Sequence, residues 1–113
     1  MILNKEVIIT IIIFFIANIF VWIQLNGQLK WDWWKENIWI ACLMGIPISY
    51  MFFKATTYGY IGFGELWPIR FIGFAAGMIT FPFFTYFILG EGITLKTFIS
   101  IILAILIMIL QLF

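Results

Sequence analysis

Residues 64–84 read GELWPIRFIGFAAGMITFPFF. Glu65 and Arg70 stand on either side of Trp67-Pro68, and no further charge appears until Glu91. The apolar run from Phe71 to Leu89 covers 19 residues, close to the roughly 20 that a membrane-spanning helix needs. Pro68 suits the first turn of a helix, where its missing N–H is not needed, so a helix is expected to begin near Trp67. Glu65 then precedes the helix N-terminus, where negative charge is favoured. Arg70 falls in the first turn, where the helix dipole disfavours it and Glu65 would compensate. Two readings stay open. The pair is either an interfacial ion pair that sets the depth of the helix, or Glu65, Trp67 and Arg70 line the entrance of a pathway, since ionisable groups near membrane depth mark such sites.

Outward from this stretch the chain repeats the pattern. Apolar segments run from Val7 to Leu25, from Ile38 to Phe53 and from Thr97 to Phe113. The 113 residues are 65% hydrophobic and only 10% charged, too few polar groups to cover the surface of a soluble domain this small. The solvent for most of the chain is therefore lipid. Lys5 followed by the apolar run Val7–Val21, with no small-x-small site after it, reads as an uncleaved anchor. The helices are expected at about 7–25, 38–53, 68–89 and 96–113, joined by short links. That arrangement implies one domain, an all-α antiparallel bundle with both termini on one side.

Four of the six tryptophans, Trp31, Trp33, Trp34 and Trp39, cluster in or beside the first link, while Trp22 and Trp67 sit near helix ends. Trp prefers the membrane interface, so the cluster reads as an anchoring belt, with a stacking site for an aromatic ligand as the other reading. Lys5, Lys54 and Arg70 fall on one side of the membrane and Lys30, Lys35 and Lys96 on the other. The balance leaves orientation unspecified by the positive-inside rule.

Composition also argues against several chemistries. The chain has no histidine and a single cysteine, Cys42, which removes the commonest general base and metal ligand as well as any disulfide within the chain. Glu6, Asp32, Glu36, Glu65 and Glu91 are scattered. Neither an enzyme nor a metal or cofactor site is expected. A net charge of +1 offers no basic patch for nucleic acid.

Within the spans, Asn18 is the only strong polar group of the first helix. An unpaired amide there is costly, so Asn18 should face another helix or a cavity, either for an interhelical hydrogen bond or for a ligand. Ala41, Gly45 and Ser49 share one face of the second helix, and Gly73 and Gly77 one face of the third. Both patterns allow close helix packing, within or between chains. Pro47 is expected to kink the second helix and Pro82 to break or bend the third.

FILGEGITLKTFISIILAILIMI, residues 87–109, resembles the end of a drug/metabolite transporter repeat. Leu89-Gly90-Glu91 closes one apolar helix, and a short turn with Thr94 opens the last. The four-helix length is similar to the branch of that superfamily that includes the small multidrug resistance proteins. The resemblance is specific here and topological elsewhere. It places Trp67 near the aromatic residues that open the family's third helix, and Gly73 and Gly77 near the small residues that let that helix bend. One departure matters. Those proteins carry a proton-exchanging Glu in helix one, and Asn18 stands about where it would be. Asn cannot titrate, which argues against proton-coupled cation export. Glu65 is the only carboxylate left near a helix mouth, so movement is either uncoupled or coupled through Glu65. The run Thr80–Thr85 also resembles the Thr/Phe-rich break of small fluoride channels, whose helix-one arginine and helix-two asparagine are missing here.

The leading expectation is a multi-pass transporter of the cell (inner) membrane. It would move a small solute through a pathway formed in a homo-oligomer, a dimer foremost. The main alternative is a non-transporting subunit packed against a larger membrane complex, and a small ion channel ranks last.

Overall fold

The structure, a computed structural model, describes residues 2–113. Helix α1 spans Lys5–Asn26, and a 3-10 turn at Gly27–Leu29 leads into the short α2, Asp32–Glu36. Helix α3 spans Ile38–Phe63, α4 spans Trp67–Phe84 and continues as a π-helical turn, Thr85–Leu89, and α5 spans Leu95–Leu112. Four of these are long and apolar enough to cross a membrane. The protein is an all-α, multi-pass helical membrane bundle.

Each helix end has a local cause. The Asn4 side chain caps α1 by accepting from the Val7 N–H at 3.0 Å, the usual job of a short polar side chain at this position. Thr94 does the same for α5, accepting from the Thr97 N–H at 3.3 Å. Pro68 sits in the first turn of α4 as expected. Gly64 (φ +78°) ends α3 and Gly90 (φ +74°) ends the π-helical turn, left-handed positions that only glycine adopts cheaply. The Leu89-Gly90-Glu91 stretch is thus a helix stop followed by an exposed turn, and Thr94 is the next helix start.

Helix α3 runs ten residues past the expected end at Phe53. Lys54–Phe63 reads as a link because it holds Lys54, two threonines and two glycines. Yet Thr56 and Thr57 turn their hydroxyls back onto the Phe52 and Phe53 carbonyls, at 2.9 and 3.1 Å, so they present little unpaired polarity. Gly59 and Gly62 are packing positions: a β-carbon at either would lie 2.8 Å from Ile69 or Val7 respectively. Twenty-six residues make a helix about 39 Å long, more than the hydrocarbon thickness of about 30 Å, so α3 tilts or projects. Pro47 lies inside α3 without interrupting it. Pro82 does not end α4 either. Three residues beyond it, the helix passes into a wider π turn.

Helix α1 packs on α3 and α4, and α5 packs on α4, with a lighter contact between α3 and α4. The order in space is therefore α3, α1, α4, α5. The Cα extents, 44 × 35 × 18 Å, describe a flattened bundle. Four helices in a row at about 9–10 Å spacing give a width of roughly 35 Å. Phe14, Ala55, Ile69, Ile72 and Ala76 form the core. The Ile2 N–H donates to the Leu112 carbonyl, joining the start of the described chain to the end of α5 on one side.

Two tryptophans are not belt residues. Trp22 is buried, and its Nε1–H donates to the Thr85 hydroxyl at 3.1 Å. Trp34 is buried against Gly27, and its Nε1–H donates to the Gln24 carbonyl at 3.2 Å. An indole that finds an acceptor inside the protein has no need of the interface. Trp33, Trp39 and Trp67 remain exposed.

Candidate functional site

A cavity of about 680 Å³ lies over α1, between α3 and α4. Phe14 and Asn18 of α1 form its floor, Phe52 and Thr56 of α3 one wall, and Trp67, Ile69, Arg70, Gly73 and Phe74 of α4 the other. The volume falls within the range of about 300–1,000 Å³ typical of small-molecule sites. At Gly73 the floor and this wall meet closely: a β-carbon there would lie 2.9 Å from the Phe14 ring. Phe14 leans in turn toward Phe52, with ring centroids 5.9 Å apart.

Asn18 is half-buried on the floor. Its Nδ2 donates to the Phe14 carbonyl of its own helix at 2.8 Å, so the bond made is not interhelical. The Oδ1 lies against α4, 2.8 Å from where a Gly77 β-carbon would be. One amide N–H and the Oδ1 acceptor have no hydrogen-bond partner among the described residues. Gly77 is seven residues beyond Arg70, about 10 Å along the helix, so Asn18 sits about that far below the mouth.

Trp67 and Arg70 define the mouth. Trp67 opens α4 and stacks on Phe71, with ring centroids 6.4 Å apart and an interplanar angle of 23°. Arg70 follows in the first turn, exposed and lining the cavity. Among the described residues its side chain has neither a hydrogen bond nor an ion pair. The pairing expected with Glu65 does not form. Glu65 precedes the helix, is exposed and is not among the residues that line the cavity. Thus the fold brings Asn18, Trp67 and Arg70 to one cavity and leaves Glu65 outside. Phe14, Phe52 and Phe74, which looked like ordinary span positions, join them, as does Thr56 from the stretch expected to be a link.

The small residues serve packing inside the chain. Gly73 and Gly77 accept Phe14 and Asn18 of α1. On α3, Gly45 faces Gln24, whose Nε2 donates to the Ala41 carbonyl at 3.0 Å. Ser49 is exposed. Among the described residues, no cluster of three His, Cys, Asp or Glu side chains is placed to hold a metal ion.

Comparison with known proteins finds no matching family model, curated protein or solved structure.

Proposed function

We propose that the chain is a small membrane transporter of the drug/metabolite type, and that the cavity over α1 is where its solute binds. The observation that carries this reading is the convergence of Arg70 and Trp67 at a helix mouth with Asn18 about 10 Å below them, in one space of about 680 Å³. Ionisable and amide groups are expensive at membrane depth, and grouping them around a cavity supports a pathway more than an anchor. The resemblance of residues 87–109 points the same way. Among the described residues no carboxylate lines the cavity, so the solute moves down its own gradient without proton exchange. The cavity is open along one face of the flattened bundle, and a second copy laid over that face would enclose it. Homo-oligomerisation is part of the proposal for that reason.

The test is uptake by proteoliposomes. Vesicles with and without the protein are exposed to a metabolite extract, and their contents are read by mass spectrometry. At least one solute should equilibrate faster into the protein-containing vesicles, and Asn18→Leu should abolish the difference. Equal uptake into empty and protein-containing vesicles would overturn the reading. A second reading, a subunit of a larger membrane complex, is favoured by α5. It packs mainly on α4, and among the described residues only Ala104 of this helix is buried. Stoichiometric unlike chains after purification in mild detergent would decide for it.

A further inference from the structure

The cavity's charge and shape assign the chemical class of its ligand, an inference that rests on the transport reading above. Among the described residues, Arg70 is the only charged side chain lining it; the other nine lining residues are neutral. Its guanidinium presents five N–H donors in a planar fork. None of them has an acceptor among the described residues. Glu65, the nearest acid in sequence, makes no pair with it.

A fixed positive charge at the mouth of an apolar space attracts anions and repels cations, more strongly than in water because the walls are poorly polarisable. Its fork matches two oxygens of one carboxylate or phosphate. Behind the fork the walls are aromatic: Phe14, Phe52, Trp67 and Phe74. They accept a flat or flexible apolar body and offer nothing to a second charge. About 10 Å below Arg70, the free N–H and Oδ1 of Asn18 supply one donor and one acceptor. That pair suits a neutral hydroxyl, carbonyl or amide.

We propose that the groove binds organic anions built in this order: one carboxylate or phosphate head on Arg70, an apolar body against the phenylalanines, and a neutral polar group reaching Asn18. This is the opposite charge to the cations that the small multidrug resistance resemblance implies. Such a ligand has two sources. It is either an amphiphile already dissolved in the bilayer, entering through the open side, or a water-soluble aromatic acid entering at the mouth.

The experiment compares matched probes on the purified protein in zwitterionic phosphatidylcholine nanodiscs. Dodecanoate and dodecyltrimethylammonium share a chain and differ in head charge, and indole-3-acetate represents the water-soluble source. Binding by calorimetry, corrected for partition into empty nanodiscs, should favour an anion over dodecyltrimethylammonium. Arg70→Gln should weaken the bound anion about tenfold to a hundredfold, the range for losing a charge-assisted pair. Dodecanoate binding without indole-3-acetate assigns the bilayer source, and the reverse assigns the aqueous one. The proposal is overturned if dodecyltrimethylammonium binds as tightly as the better anion on the wild-type protein, a comparison that needs no variant. It is also overturned if neither anion binds, or if a folded Arg70→Gln protein binds the anion as wild type does. Loading the same probes into proteoliposomes separates the two claims. Arg70-dependent anion binding without flux refutes transport and leaves the ligand class standing. Flux of the cation but of neither anion refutes the class and leaves transport standing.

Discussion

The Oδ1 of Asn18 fits against Gly77, 2.8 Å from the point that a β-carbon would occupy there. This amide in the middle of the first span thus has its place reserved by a missing side chain on α4. Gly77→Ala should push the amide out of position and cost about 1–3 kcal/mol, as overpacking does. Asn18→Ala in the same protein should restore much of that loss. Thermal unfolding of the two single variants and the double variant in detergent gives the coupling. Additive effects would mean that the two positions do not meet.

Trp22 and Thr85 make the second polar contact to probe. Their bond is buried and lies where α4 changes to the π-helical turn. Thr85→Val keeps the shape but strands the indole N–H, a loss of about 1–3 kcal/mol. Trp22→Phe/Thr85→Val removes both partners, and should lose less than the sum of the two single changes. Guanidinium-free denaturation by SDS titration, followed by circular dichroism, measures both.

Gly59 and Gly92 separate a packing glycine from a spacer. A β-carbon at Gly59 meets Ile69 at 2.8 Å, whereas nothing lies within 4 Å of one at Gly92. Gly59→Val should lower stability by about 1–3 kcal/mol, and Gly92→Ala should stay within about 0.5 kcal/mol of wild type. Equal melting temperatures for the two variants would contradict the close α3–α4 approach.

Glu65 and Arg70 are expected to behave independently. Glu65 is exposed and outside the cavity, so Glu65→Gln should change stability by less than about 0.5 kcal/mol and leave solute flux unaltered. Arg70→Gln should abolish that flux. A pH gradient imposed across the vesicles should not drive accumulation in either the wild type or Glu65→Gln. Accumulation that Glu65→Gln removes would show a proton route through that carboxylate.

Four apolar helical spans were legible in the sequence. Hydropathy is a local property, and a charge-free run near 20 residues has few other fates. The stops were legible too. Pro68, Gly90 and Thr94 act through their own backbone geometry and their nearest neighbours. Lys54–Phe63 was misleading, because two threonines and two glycines look like a link until tertiary contacts decide. The threonines bond their own helix, and the glycines admit Ile69 and Val7.

What only the tertiary structure decided is which face of each helix meets which neighbour. In a soluble protein, the boundary between apolar and polar residues announces the buried face. In a membrane span every face is apolar, and association rests on close packing between particular side chains. Trp22 and Trp34 therefore looked like interface anchors but are buried. Gly73 and Gly77 looked equally suited to a partner chain, yet they receive Phe14 and Asn18 of their own. The amide of Asn18 and the guanidinium of Arg70 are 52 residues apart in sequence. They share a cavity because the register between α1 and α4, set at those two glycines, brings one beneath the other, while Glu65 lies just outside α4 and is left in the open.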